Sequence, residues 1–205
     1  MPRSSASLRV RPARAPARVP ILVHTRKRLL VRSGALRIAI VADTHGSPHP
    51  NSHAVLRAAE PDHILHAGDV GDLSVLEGLE AIAPLTAIRG NIDVRAPGLP
   101  DVVTIAIAEG ERTLVTLLLL HIGVYGPRLR ADAARLARAE GAAIVVCGHS
   151  HVPFLGRDGG LTIVNPGSIG PRRFQLPIVF ALMDVTAAAI AVHHVSCETG
   201  ARWEP

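Results

Sequence analysis

The sequence predicts an α/β fold in which two packed β-sheets and their flanking helices form one domain. Three features of the 205 residues support this prediction. Short apolar runs alternate with helix-compatible segments in the first half, β-rich segments dominate the second half, and polar residues follow most of the apolar runs. Aromatic residues are scarce, with three Phe, one Trp and one Tyr, so Ala, Val, Leu and Ile must fill the core.

Strands and helices alternate in the first half. Each apolar run is short and is followed directly by Asp or Gly, which favours a strand buried on both faces. Pro61 closes the first helix. The predicted order is strand Leu36–Ala42, helix Ser52–Glu60, strand Ile64–Ala67, helix Leu73–Ala83 and strand Leu85–Arg89.

The second half is richer in strands. Glu109-Gly110-Glu111 separates two runs of strand character and predicts a hairpin, while an Ala- and Arg-rich amphipathic segment predicts one helix. The predicted elements are strands Asp101–Ala108 and Arg112–Leu120, helix Arg128–Glu140, and strands Ala143–Cys147, Leu161–Val164, Ile178–Asp184 and Ala188–Val195.

The positive charge is concentrated at the amino terminus. Residues 1–37 hold nine Arg and the only Lys, no acidic residue precedes Asp43, and the remaining twelve Arg face seventeen Asp and Glu. We therefore predict a disordered basic, Pro-rich extension over residues 1–35 and a domain over residues 36–205. Contact with nucleic acid or a membrane surface, an organelle transit peptide, and an extension without a role are all open for it.

Cysteine content and hydropathy bear on location. The two cysteines, Cys147 and Cys197, form no CxxC pair, which is typical of a reducing compartment and predicts a cytoplasmic protein. No apolar run approaches the roughly 20 residues that a bilayer span needs, so we expect no membrane association. The shortage of aromatics argues against a stacking platform for single-stranded nucleic acid.

Polar residues follow five of the predicted strands, at the carboxyl end of each. Ligands of open α/β sheets bind beyond these strand ends, so the side chains are expected to converge. The residues are Asp43 with His45, Asp69, Asn91, His121, and His149 with His151. Asp and Asn oxygens mixed with His nitrogens suit Mn, Fe, Zn or Ni ions, and the set is large enough for two.

In motif order the sequence resembles the calcineurin-like metallophosphoesterases. The resemblance rests on five motifs across about residues 37–196, and Asn165-Pro-Gly-Ser168 is similar to the small YfcE-like phosphodiesterase branch. The five are Asp43-x-His45, Gly68-Asp69-x-x-Asp72, Gly90-Asn91-x-Asp93, His121 and Gly148-His149-Ser150-His151. The resemblance implies a four-layer αββα sandwich and hydrolysis of a phosphodiester by a metal-bound hydroxide.

The resemblance also implies residue roles. It assigns one divalent ion to Asp43, His45 and His151, a second to Asn91, His121 and His149, and the bridge to Asp69, with catalytic roles for Asp69, Asn91 and His121. Mn²⁺ is the expected metal, and the same ligands accept Fe, Zn or Ni.

The motifs depart from the family pattern at Ile92, where many members carry a His that protonates the leaving group. The leaving group could instead receive its proton from Asp93 or from a metal-bound water, or it could depart without a proton donor. Arg172 and Arg173 suit a phosphate or a surface patch equally.

The resemblance leaves other functions open. A phosphomonoesterase and a dinucleoside polyphosphate hydrolase use the same centre, and the retromer scaffold subunit uses the same fold as a binding platform. The expected partner is a small phosphodiester or nucleotide-like substrate; nucleic acid is not expected, and homo-oligomer formation is open.

Overall fold

Two six-stranded mixed β-sheets form the centre of the computed structural model, which describes residues 22–204. The elements in chain order are β1 (His24–Leu30), β2 (Ala35–Val41), α1 (Ser52–Ala58), β3 (His63–His66), α2 (Ser74–Glu80), β4 (Leu85–Ala87), β5 (Val102–Glu109), β6 (Arg112–Leu120), β7 (Val124–Tyr125), β8 (Arg128–Leu129), α3 (Ala131–Ala139), β9 (Ile144–Val146), β10 (Phe154–Asp158), β11 (Leu161–Asn165), β12 (Val179–Thr186), β13 (Ile190–Ser196) and β14 (Arg202–Trp203). The strand orders are β1-β5-β6-β9-β11-β10 in the first sheet and β14-β13-β12-β2-β3-β4 in the second.

The sheets stack face to face, and a helix layer covers the outer face of each. Ile38 and Ile40 of β2 point into the core between the sheets, whereas the alternate residues Ala39 and Val41 pack with residues of α1 and α2. On the other sheet, Leu118 packs with residues of α3. This burial on both faces explains the continuous apolar runs and confirms the predicted α/β fold with four layers.

The element predictions hold in the main, and the hairpin of β5 and β6 is confirmed as an antiparallel pair. All three helix predictions were too long. The first two helices are shorter by two and four residues, at Ser52–Ala58 and Ser74–Glu80. The third differs most at its start: Arg128 and Leu129 form β8, and α3 begins only at Ala131 because Arg130 is extended, with ψ of 143°. Within residues 22–204, none of the helices has the length and apolar character needed to cross a lipid bilayer.

The predicted domain boundary at residue 35 does not match the structure. Strand β1 lies inside the predicted extension and pairs in parallel with β5, from His24 opposite Val102 to Leu30 opposite Ala108. Its three consecutive basic residues conceal the strand in the sequence, but they suit an edge strand, where charge discourages further pairing. The prediction for residues 1–21 lies outside the described residues.

The contribution of β1 to stability is testable with two neighbouring leucines. Leu29 is 8% exposed and belongs to the core between the sheets, whereas Leu30 is 44% exposed. We expect Leu29→Ala to lower the free energy of unfolding by about 2–3 kcal/mol and Leu30→Ala by less than about 1 kcal/mol. Urea unfolding measures both, and equal small losses would show that β1 adds little to the fold.

Candidate metal centre

Five of the predicted site residues adopt a left-handed backbone conformation. Their φ angles lie between +47° and +70°, a region that residues other than Gly seldom occupy. They are Asp43, His45, Asp69, His149 and His151. Such backbone strain persists only where the surrounding structure enforces it, and it turns these side chains away from the directions that regular strands would give.

Backbone hydrogen bonds hold the first two loops side by side. The N–H groups of Asp43, His45 and Gly46 donate to the carbonyls of Gly68, Asp69 and Val70, at 3.0, 3.0 and 2.7 Å. These bonds extend the pairing of β2 with β3 beyond the strand ends. The first two motifs therefore form one rigid unit.

The candidate ligands form two adjacent groups. The Asp43 group contains Asp43, His45 and His151, and the Asp69 group contains Asp69, His121 and His149. Within each group, one ligand atom per residue lies within 4.8 Å of the others. Asn91 adjoins the Asp69 group, because its Oδ1 lies 3.1 Å from Nε2 of His121.

Asp69 faces both groups. Its Oδ1 lies 3.2 Å from Nε2 of His121, and its Oδ2 lies 3.9 Å from Nε2 of His45. The close approach of Gly90 fixes this carboxylate, since a Cβ at that position would collide with the Asp69 side chain and backbone. The geometry suits a carboxylate that bridges two cations.

The orientation of His121 favours a cation. Its Nδ1–H donates to the carbonyl of Ala67 at 2.7 Å, so the Nε2 lone pair of the neutral ring faces the oxygens of Asp69 and Asn91. A cation between these atoms, or a second proton on the ring, relieves this contact. Accordingly, burial lowers the pKa of His121, but hydrogen bonds to Asp69 and Ala67 outweigh it and the pKa is raised.

The Asp43 group has a similar convergence of lone pairs. Nε2 of His45 lies 3.1 Å from Nε2 of His151, which in turn lies 3.6 Å from Oδ1 of Asp43. Burial, followed by the charge of Arg173, lowers the pKa of both imidazoles and keeps them in the neutral form that binds metals. The donor set therefore fits two divalent cations.

The two carboxylates have different electrostatic environments. Burial raises the pKa of Asp43 to about 7. Burial also opposes ionisation of Asp69, but its hydrogen bond with His121 outweighs this effect and lowers its pKa to about 2. A cation near Asp43 would stabilise its ionised form.

Two further sequence candidates have structural roles. Both oxygens of Asp93 accept backbone N–H groups, from Val70, Gly71 and Gly90 at 2.7–3.0 Å, so this side chain organises the two loops. The Ser168 hydroxyl donates to the carbonyl of Asp43 and accepts from the N–H of Gly170. Both residues support the site from outside.

The structure separates the two neighbouring arginines, which sequence reasoning left equivalent. Nη2 of Arg173 lies 3.1 Å from Nε2 of His45, whereas Arg172 forms an ion pair with Glu198 at 2.6 Å. Arg173 is therefore the guanidinium at the site. The sequence offered no signal for this choice, because the loop that carries both residues is irregular.

His66 lies beneath the site as a neutral support. Its Nδ1 accepts the N–H of Gly68 and its Nε2–H donates to the Thr44 hydroxyl, which donates to the carbonyl of Val70. Burial lowers its pKa from 6.5 to about 4. Unfolded His66 thus binds a proton below pH 6.5 that the folded chain rejects until about pH 4, and stability is lost as the pH falls through this window.

A substitution tests this contribution. We expect wild-type metal-free protein to lose about 2 kcal/mol more than His66→Gln between pH 7 and pH 4.5. Urea unfolding at the two pH values provides the comparison. The same loss in both proteins would mean that His66 titrates normally in the folded state.

The geometry agrees with what is found in known proteins. Residues 36–188 match the calcineurin-like phosphoesterase superfamily domain. A probable metallophosphoesterase of Methanothermobacter thermautotrophicus is 33% identical over 149 residues, which cover 71% of this chain and 84% of the relative.

Solved structures share the fold at lower sequence identity. Wild-type Vps29 of Entamoeba histolytica in complex with Zn²⁺ has a TM-score of 0.65 at 18% identity, covering 82% of this chain and 96% of that one. YfcE, a phosphoesterase from E. coli, has a TM-score of 0.56 at 17% identity, with coverages of 82% and 97%. Both support the metallo-dependent phosphatase fold, and the sequence match over residues 36–188 shows that the chain belongs to the calcineurin-like phosphoesterase superfamily.

Proposed function

We propose that the protein is a phosphodiesterase that depends on two divalent metal ions, with Mn²⁺ as the preferred metal. The observation that carries this proposal is the position of Asp69, whose two oxygens face two separate ligand groups. A cytoplasmic location stays a prediction from the cysteine content.

The proposed ligands follow the two groups. The assignment is Asp43, His45 and His151 for the first cation, Asn91, His121 and His149 for the second, and Asp69 for both. Two cations so held would supply a hydroxide nucleophile and neutralise charge on the phosphoryl group. In this scheme Asp69, Asn91 and His121 set the position of the reacting phosphorus.

Arg173 supports an anionic substrate. Its guanidinium lies beside His45, so it would repel nearby cations unless an anion lay between them. Phosphate oxygens match the planar guanidinium donors. Nε2 of His45, which faces Arg173, is also a proposed metal ligand. Once its lone pair binds a cation, it would no longer accept a hydrogen bond from Arg173, and the guanidinium would be free to bind the substrate.

The leaving group is expected to depart without a proton from residue 92 or 93. Ile92 carries no proton donor, and the carboxylate of Asp93 is held by three backbone N–H groups. Esters with acidic leaving groups should therefore react fastest. Aryl esters, whose leaving groups are acidic, are therefore suitable substrates for measuring the activity.

Metal stoichiometry tests the bridging role of Asp69. We expect Asp69→Asn to bind at most one Mn²⁺ per chain where wild type binds two, because the bridge contributes a charge to both ions. Asp72→Asn is the matched control, since Asp72 is exposed and its carboxylate accepts a hydrogen bond from the N–H of Ser74. Calorimetric titration of metal-free protein measures the stoichiometry, and two tightly bound ions in Asp69→Asn would contradict the assignment.

Hydrolysis of model esters tests the reaction. With Mn²⁺, we expect faster turnover of bis-p-nitrophenyl phosphate than of p-nitrophenyl phosphate, with activity abolished in Asp69→Asn. Arg173→Gln should lower kcat/KM by about tenfold to a hundredfold, as a lost charged hydrogen bond of about 1.5–3 kcal/mol predicts. Arg172→Gln should stay near wild type because that residue pairs with Glu198.

The other outcomes separate the alternatives. Faster monoester hydrolysis would make the protein a phosphomonoesterase, and selective cleavage of dinucleoside polyphosphates would replace the simple diester as substrate. The Vps29 fold neighbours favour a scaffold as the second candidate. Stoichiometric metal binding without turnover of any of these esters would support it.

A further inference from the structure

A cavity of about 390 Å³ opens beside the Asp69 group. It lies between residues 122–130, which include the β7–β8 hairpin, and residues 149–154. Small-molecule sites have volumes of roughly 300–1,000 Å³. The cavity is therefore large enough for a substituent of a small phosphoester.

The cavity wall is mainly apolar, although its mouth is open to water. The apolar lining includes Ile122, Tyr125, Pro127, Val152 and Phe154. Tyr125 is 86% exposed, Val152 45% and Ile122 37%. Covering such a cluster of exposed apolar side chains is favourable, so the surface suits an apolar occupant.

His149 connects this cavity to the proposed reaction. It is the exposed member of the Asp69 group and it also lines the cavity. The cavity therefore adjoins the metal centre, next to where a phosphoryl group would bind. This inference rests on the proposed function, because it takes the metal centre as the phosphoryl site.

The lining favours a planar ring over a flexible alkyl chain. Two of the five Phe, Trp and Tyr residues in the sequence, Tyr125 and Phe154, line this one cavity. Aromatic side chains contact flat rings in stacked or edge-to-face arrangements. The polar part of the lining comes from Arg130, which pairs with Asp132, and from Ser150 and Asn165, which hydrogen-bond to each other.

A second cavity near the centre is less suitable. It measures about 370 Å³ and reaches Asn91 and His121, but the carboxylates of Asp101 and Asp132 belong to its lining. Asp101 already pairs with Arg89 at 2.6 Å. Asp132 pairs with Arg130 at 3.3 Å, and Arg89 itself lines the cavity. The lining of this second cavity therefore carries ion-paired carboxylates and contains no Phe, Tyr or Trp to contact a ring.

We propose that the cavity between Tyr125 and Val152 binds a planar aromatic substituent of the phosphoester, either an aryl group or a nucleobase. The cavity then selects among substrates, while the metal centre acts on the phosphorus. Tyr125 and Val152 are specificity-determining residues in this scheme.

Binding of non-hydrolysable phosphonates to the Mn²⁺-loaded full-length protein tests the proposal without turnover. We expect phenylphosphonate to bind at least tenfold more tightly than methylphosphonate, with cyclohexylphosphonate weaker than phenylphosphonate. Tyr125→Ala and Val152→Ser should each reduce the phenyl-to-methyl ratio to below about threefold. Both side chains are exposed, so neither change is expected to unfold the protein.

Phe174→Ala is the matched aromatic control, because Phe174 is 92% exposed and does not line the cavity. The ratio of phenylphosphonate to methylphosphonate affinity in Phe174→Ala should equal that of wild type. The non-hydrolysable phosphonate analogue of thymidine 5′-monophosphate, added to the series, identifies the source of the ring: tighter binding than phenylphosphonate indicates a nucleobase, and weaker binding a simple aryl group.

Equal binding of the three phosphonates, or an unchanged ratio in Tyr125→Ala and Val152→Ser, would overturn the ring site while leaving the proposed reaction intact. A ring preference without turnover of any ester would support the site and remove the catalytic proposal. If no phosphonate binds and no ester is hydrolysed, both proposals fail.

Discussion

The structure depends on the convergence of strand ends on one small volume. Left-handed backbone at Asp43 and Asp69 turns their carboxylates toward the same region, and the same conformation at His149 and His151 brings two imidazoles to it. Each such residue is strained by of order 1–3 kcal/mol. The two sheets supply the restraint, because the loops that hold these residues continue directly from buried strands.

This convergence places many lone pairs of nitrogen and oxygen atoms close to one another. Neutral imidazoles, carboxylates and an amide oxygen face one another at 3–4 Å, and one proton on His121 relieves only part of this contact. Burial raises the pKa of Asp43 to about 7, whereas burial of Asp69 is outweighed by its hydrogen bond with His121, which lowers its pKa to about 2. Divalent cations would satisfy every donor at once.

The sequence was sufficient to predict the position of a side chain that directly follows a buried strand. The apolar runs predicted β2, β3, β4, β6 and β9, and the site residues that follow these strands were expected to converge because ligands bind beyond the carboxyl ends of the strands. It failed where position depends on tertiary structure. The sequence did not predict β1, because its basic residues conceal a strand that is stabilised by pairing with β5.

The irregular segments show the same limit. Arg172 and Arg173 are chemically identical neighbours, and only the path of their loop sends one to Glu198 and the other to His45. Asp93 illustrates the reverse case. The sequence left Asp93 open as a proton donor, and the hydrogen bonds that its carboxylate accepts from three backbone N–H groups favour a structural role instead.

Fold alone does not separate a phosphoesterase from a binding platform, since the same architecture occurs in Vps29 and in YfcE. Metal ligands do not separate them either, because Vps29 also forms a complex with Zn²⁺. The informative residues are those that ions alone do not need. A guanidinium beside His45 is repelled by bound cations unless an anion accompanies them, and an open apolar cavity beside His149 is unfavourable in water unless a substituent fills it. In the proposed function, one phosphoester would place its anion beside Arg173 and its aromatic group in the cavity beside His149.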